Sequence, residues 1–221
     1  MKITILTGAG ISAESGLGTF RSTDGLWAKY DLAKVATPEA FNRDPAMVHE
    51  FYNLRRKACI EAQPNPAHFA LAELQRASPN VTIVTQNVDD LHERAGAKVL
   101  HMHGELMRAR CVKCDRRWEA PVRMSAGDLC DCGAAARPDV VWFGESPYFI
   151  EEITHAVRGS DLFVVIGSSG KVYPAAGFVQ IADKARVDTL EINLERNGQV
   201  FDRSIVGPAT QTVPEWVRGL I

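Results

Sequence analysis

Short, nearly continuous apolar runs recur along the chain at Ile3–Leu6, Val81–Val84, Leu162–Ile166 and Leu190–Leu194, with a fifth candidate at Val140–Phe143. They are rich in β-branched residues and show little polar alternation, as expected of strands buried on both faces of a parallel sheet. Between them, Pro45–Ala62, Ala67–Arg76, Tyr148–Arg158 and Ala175–Ala185 carry helical periodicity. Strands alternating with helices predict an α/β chain built on a Rossmann-like, doubly wound parallel sheet. Two stretches break the alternation. Residues 38–78 hold two helical patterns and no strand run, and residues 109–137 hold four of the five cysteines on short, aperiodic links. Both read as insertions, one helical and one like a zinc ribbon, that together form a smaller domain. The Rossmann-like domain is then discontinuous, made of residues 1–37, 79–108 and 138–221.

Three of the predicted strands end in polar or glycine-rich turns, TGAGIS, TQNVDD and GSSG. Ligands of such sheets bind beyond the carboxyl ends of the strands. Gly8-Ala9-Gly10-Ile11-Ser12-Ala13 fits the pattern G-x-G-x-x-G/A directly after a strand. Its first glycine permits a tight turn, its second lets backbone approach a pyrophosphate, and a small third residue keeps the helix close. The same residues would also serve a tight turn that binds nothing. The acidic residue that a dehydrogenase places about 20 positions on, at the end of its second strand, has no counterpart: Asp24 and Asp31 lie in loop-like sequence. After the second run, Gln86, Asn87 and Asp89 offer amide donors, carbonyl acceptors and a carboxylate suited to a ribose and a carboxamide. Asn87 or Asp89 could equally cap the following helix. His103, beside Gly104 in the stretch HMHG, can present an imidazole as a general base or serve as a structural histidine.

Composition narrows the field only modestly. A chain of 221 residues, 46% hydrophobic and 24% charged, with a formal net charge of −2, can bury a sizeable core. It lacks the overall positive charge that drives non-specific nucleic-acid binding, and no specific nucleic acid is expected. No apolar run approaches the roughly 20 residues of a membrane span, and the few apolar residues before Thr7 are too short for a signal-peptide core. The expected location is cytoplasmic, where cysteines are reduced thiols or metal ligands. Cys111 and Cys114 are followed, after fifteen residues, by Cys130 and Cys132. Two close pairs predict one Zn²⁺ held by four thiolates; with no open position the ion is structural. The second pair is tighter than the usual spacing. Cys59 stands apart on a helical pattern and reads as core.

The stretch AMVHEFYNLRRKAC, residues 46–59, has a further peculiarity. Projected at about 100° per residue, Met47, Val48, Phe51, Tyr52, Leu54, Ala58 and Cys59 form one apolar arc. Arg55 falls inside it, and Arg56 and Lys57 fall outside. A guanidinium on the protein side needs an anion. Tyr52, three residues earlier, shares its face. A phenol beside a fork of N–H donors suits a carboxylate, supplied by a ligand or by an internal salt bridge.

Taken in order, GAGISAESGLGTFR, TQNVDDLH, HMHG, the paired cysteines, GSSG and NLE resemble the sirtuins, NAD-dependent protein-lysine deacylases, from Leu6 to about Ala209. The resemblance implies that NAD is a consumed co-substrate, which accounts for the missing dehydrogenase acid. It places Gly8, Ala9, Gly10, Ser12 and Glu14 on the cofactor, followed by Thr19, Phe20, Arg21 and Trp27 in and after a cofactor loop. Gln86, Asn87, Val88 and Asp89 would hold nicotinamide and ribose. Gly167, Ser168 and Ser169, then Asn193, Leu194, Glu195 and Ala209, would complete the adenosine side. His103 and Asn87 would be catalytic. The acyl oxygen would attack the anomeric carbon, and a ribose hydroxyl, deprotonated by His103, would attack the resulting imidate carbon. The products would be free lysine, nicotinamide and O-acyl-ADP-ribose. Residues 170–177, GKVYPAAG, would pair as a strand with the backbone of an acyl-lysine protein or peptide, with Val172 near the lysine. Tyr52 and Arg55 match the Tyr-x-x-Arg mark of class III sirtuins, which prefer succinyl- and malonyl-lysine. The implied activity is therefore desuccinylation and demalonylation, with deacetylation retained. An ADP-ribosyltransferase using the same cleft, or a non-enzymatic NAD-sensing zinc protein, would carry many of the same motifs. Three positions depart from the family pattern: Gly18 for a common proline, Asp90 for a glycine and Ser169 for a threonine.

Overall fold

The computed structural model describes residues 1–18 and 30–221; Thr19, Phe20, Arg21 and Trp27 of the expected cofactor loop lie outside the described residues. Six strands, β1 (Ile3–Thr7), β2 (Val81–Thr85), β3 (Val99–His101), β7 (Leu162–Ile166), β8 (Asp188–Asn193) and β9 (Arg203–Val206), form one sheet in the order β3-β2-β1-β7-β8-β9. Every pairing in it is parallel. This is the strand order of a doubly wound dinucleotide-binding fold, and it reverses direction between β1 and β7, where a ligand crevice opens. All five residues of β1 and all five of β7 are buried. Their unbroken apolar runs reflect helices covering both faces of the sheet. One face carries Ile3, Ile5, Val164, Ile192, Leu71 and Val213, and the other carries Leu6, Val84, Phe163, Val165, Ile153 and Phe178.

A second sheet is antiparallel and three-stranded, in the order β5-β4-β6, where β4 is Gly104–Cys111, β5 Arg117–Glu119 and β6 Ala136–Val140. The fifth apolar run is thus placed differently from expectation. Its strand ends at Val140, belongs to the small sheet, and hands over to a loop in which buried Trp142 donates Nε1–H to the Tyr52 hydroxyl at 2.9 Å. The run is apolar because it packs on the helix Pro45–Glu61, in a cluster with Phe41, Val48 and Phe51. The helix Pro66–Ala77 packs instead on the large sheet, through Ala67, Leu71 and Leu74. Residues 170–174 form no strand: a cis Tyr173–Pro174 bond leads into a 3₁₀ turn at Ala175–Gly177 and then the helix Phe178–Lys184.

The turns after β1 and β7 touch backbone to backbone. A Cβ on Gly8 would meet the Gly167 carbonyl oxygen at 2.8 Å, and one on Gly10 would meet the Gly167 Cα at 2.7 Å. Gly167 itself has φ +62°, and a side chain there would strike the Ile11 nitrogen at 2.5 Å. Two hydrogen bonds seal the junction, Gly8 N to Ile166 O at 2.9 Å and Gly10 N to Gly167 O at 2.8 Å. The glycines expected to make room for a pyrophosphate therefore first make room for one another. Gly10→Ala forces backbone apart at this junction and is expected to lower stability by about 1–3 kcal/mol; an unchanged thermal midpoint would contradict this packing.

Candidate active site

Four strand ends deliver polar side chains to the crevice. Across the end of β1, the Gln86 backbone N–H bonds Thr7 O at 2.9 Å, and Gln86 Nε2 donates to Ser168 Oγ at 2.9 Å. Asn193, at the end of β8, donates from Nδ2 to Ser168 O at 2.8 Å and accepts the Leu194 N–H at 3.0 Å. Gln86, Ser168 and Asn193 are thereby brought together with the Gly8–Gly10 turn. Leu194 and Glu195 point outward and are exposed. The Glu14 carboxylate accepts the backbone N–H and hydroxyl of Thr210, at 3.0 and 2.7 Å. That pair ties the short helix Gly10–Ala13 to the start of the final helix Ala209–Arg218, where Ala209 lies.

Beneath the crevice lies a buried polar network whose protons can be placed. The Asn65 backbone N–H donates to His68 Nδ1 at 3.2 Å, so Nδ1 carries a lone pair and the neutral ring keeps its proton on Nε2. That Nε2 lies 3.4 Å from Ser12 Oγ, which also accepts from Asn87 Nδ2 at 3.1 Å. Buried Asp89 accepts the Leu91 backbone N–H at 3.2 Å beside this network. Burial raises the Asp89 pKa, with the Leu91 backbone N–H and the Ser12 hydroxyl opposing the shift. The His68 ring meets that of His92 edge to face at 4.9 Å, and His92 Nε2 lies 3.0 Å from Thr7 Oγ1. Thr7, Thr85, His68, His92 and Asn65 escaped sequence reasoning. The only local signal was Asn-Pro-x-His, which forms a capping box at the start of Pro66–Ala77.

His103 follows β3 at the rim. Its Nδ1 lies 3.0 Å from Gln86 O; a carbonyl only accepts, so Nδ1 bears the proton and Nε2 presents its lone pair. Burial lowers its pKa, the Gln86 hydrogen bond opposing, which favours the neutral base at pH 7.

On the helix Pro45–Glu61, the Arg55 guanidinium carbon lies 5.7 Å from the ring centres of both Phe51 and Tyr52. Burial lowers the Arg55 pKa, while Tyr52 and Asp89 favour its charge. The guanidinium therefore lies over the two aromatic rings of its own helix, with Asp89 among the groups that favour its charge. The Tyr52 hydroxyl accepts from Trp142, leaving its own proton to donate, and burial raises its pKa, with Arg55 opposing. Arg56 corrects the helical projection: it is only 1% exposed. It donates to Leu106 O at 2.8 Å and to Asn53 Oδ1 at 2.9 Å, and Asn53 makes two further bonds to the backbone of Met124, at 2.7 and 2.9 Å. The small sheet and its flanking loop cover this second side of the helix, which a single apolar arc could not reveal. Val172 lies partly buried in the turn before Pro174.

Sγ atoms of Cys111 and Cys132 lie 3.5 Å apart, those of Cys114 and Cys130 3.7 Å apart, and all four fall within 4.8 Å of one another. Thiolates at about 2.3 Å from a tetrahedral Zn²⁺ are separated by about 3.8 Å. The cluster fits the ion, and the four cysteines would hold it as a structural centre.

The sequence profile of the Sir2 family matches residues 8–174, spanning the glycine turn, His103 and all four clustered cysteines. The chain belongs to the Sir2 family. An NAD-dependent protein deacylase of Caulobacter vibrioides is 52% identical over 231 aligned positions, covering 100% of this chain and 97% of that one. One from Escherichia coli is 49% identical, covering 100% and 82%. Among solved structures, a Sir2 homolog–NAD complex superposes with a TM-score of 0.92 at 40% identity, covering 99% of this chain and 89% of that one. Among the described residues, no helix of this Sir2-family chain is long and apolar enough to cross a membrane.

The buried histidines give the fold a defined acid sensitivity. Burial holds His68 down at about 4, with the charge of Arg94 adding to the effect, and lowers His49 and His92 as well. Between about pH 6.5 and 4 the unfolded chain binds a proton at His68 that the folded chain refuses, so stability falls as pH falls, by about 3 kcal/mol for this group. Urea midpoints at pH 7.5 and 5.0 should show the loss in the parent protein and a shallower pH dependence in His68→Gln. An identical dependence in both would assign it to other groups.

Proposed function

We propose that this Sir2-family enzyme is an NAD-dependent protein-lysine deacylase that removes acidic acyl groups, succinyl and malonyl, as well as acetyl. The observation that carries the acyl preference is the Tyr52–Arg55 pair, a phenol proton beside a guanidinium fork on one helical face. A terminal carboxylate suits both donors, and Arg binds it in bidentate fashion.

NAD, the co-substrate, supplies the nicotinamide–ribose bond whose cleavage makes an acceptor for the acyl group. The Gln86, Ser168 and Asn193 cluster and the backbone of the Gly8–Gly10 turn offer donors and acceptors where a dinucleotide would lie. Their place at the β1/β7 switch point supports the assignment. Asn87, Val88 and Asp89 sit one layer deeper, where the nicotinamide ribose would be oriented. His103 is the general base: its Nδ1–H is committed to Gln86 O, and its Nε2 accepts a proton from a hydroxyl in the crevice. Acyl-lysine proteins are the substrates, and residues 170–174 become the edge on which the peptide aligns. The cytoplasm is the expected location. These roles fit an acyl transfer better than ADP-ribosylation of the protein, because Tyr52 and Arg55 supply an acyl-end recognition that the rival reaction does not use.

One panel tests the reading. On succinylated and acetylated forms of one peptide, His103→Ala should lose about 10² to 10⁴ in rate on both. Arg55→Met should lose activity selectively on the succinyl peptide. Equal loss on both peptides in Arg55→Met would return Arg55 to a structural role.

A further inference from the structure

Two residues before the proposed base, His101 ends β3 and is 6% exposed. Its Nδ1 lies 2.9 Å from the Asn87 carbonyl oxygen and its Nε2 lies 2.8 Å from Glu93 Oε1. A carbonyl and a carboxylate both accept, so both ring nitrogens act as donors, and the ring that satisfies both is an imidazolium. We propose that His101 is a positioning residue for Asn87: its charged ring bridges the Glu93 carboxylate to the Asn87 carbonyl and so fixes the turn that carries the Asn87 amide onto Ser12. This rests on the reading of Asn87 as part of the NAD site.

The surroundings support a held charge. Glu93 comes from the helix Leu91–Arg94 and Glu105 from β4; Asp89 and His92 also feel the ring from the turn and the same helix. Burial opposes the imidazolium, but the bond and charge of Glu93, the Asn87 carbonyl and the charge of Glu105 outweigh it and hold the pKa above its ordinary value. His103 is displaced the other way by burial. The two histidines thus divide the pH axis. His103 must lose its proton to act, which gives an acid limb, and His101 must keep its proton to bridge, which gives an alkaline limb. When His101 deprotonates, one nitrogen faces an acceptor with a lone pair, and either the Glu93 or the Asn87 bond is lost.

Asparagine and glutamine separate the two bonds. An Asn amide nitrogen occupies the place of Nδ1 and keeps the donor to Asn87 O, whereas a Gln amide nitrogen reaches the place of Nε2 and keeps only Glu93. Misplacement of an orienting group by about 1 Å can cost up to about 10²-fold. His101→Asn should therefore exceed His101→Gln by about tenfold or more in kcat/KM for NAD, with thermal midpoints recorded for both. Equal kcat/KM values, or a higher value for Gln, would overturn the proposal. Glu93 is exposed and its replacement spares the core. Glu93→Gln should move the alkaline limb of kcat/KM to lower pH and leave the acid limb in place; an unmoved alkaline limb would overturn the proposal. Near-normal turnover in Asn87→Ala would instead remove the underlying reading of Asn87, whatever the variants at 93 and 101 do.

Discussion

The whole arrangement depends on the absence of three side chains. Gly8, Gly10 and Gly167 bring the turns after β1 and β7 so close that no Cβ fits between them. Were those turns splayed, the carboxyl ends of β1, β2, β7 and β8 would no longer present Gln86, Ser168 and Asn193 within hydrogen-bonding distance of each other. The crevice of a doubly wound sheet is a topological gift; its width is set here by glycine against glycine.

Below that junction, chemistry is fixed by proton placement more than by residue identity. Five buried or part-buried histidines illustrate this. His68 and His92 are held neutral by burial, and His49 is displaced the same way. His103 is given its tautomer by one carbonyl, and His101 is held charged between a carbonyl and a carboxylate. These two histidines, two residues apart, are displaced in opposite directions because β3 ends at His101 and the chain turns at once. Groups whose environments push their pKa values apart mark out acid–base roles.

Legibility in the sequence followed burial. β1 and β7 were plain because both of their faces are covered and every residue must be apolar or small. β3 and β9 were hidden: three and four residues long, at the sheet edges, they are too short and too exposed to show a pattern. The final helix was hidden by Pro214 in its interior. Val140–Phe143 misled because an apolar loop against a helix looks like a strand. The site motifs were readable as words, including the cysteine pairs, whose spacing alone announced a metal. The network of Thr7, Thr85, His68 and Ser12 was not, since its members meet only when two strand ends, the short helix Gly10–Ala13 and the helix Pro66–Ala77 converge. Arg56 was missed because its helix is covered on two sides, one of them by a segment about seventy residues further along.

The adjacent arginines at 55 and 56 carry a lesson about evolvability. Arg56 is gripped chiefly by main-chain carbonyls and by Asn53, groups that persist whatever side chains drift on the opposing strand. With the helix clamped from that side, the fold's dependence on the other side is relieved. Position 55 can then change its charge or size, generation by generation, without loosening the scaffold. Adjacent codons thus hold a bolt and a key: one arginine is fixed by the scaffold's own backbone, and the other is spared that structural duty.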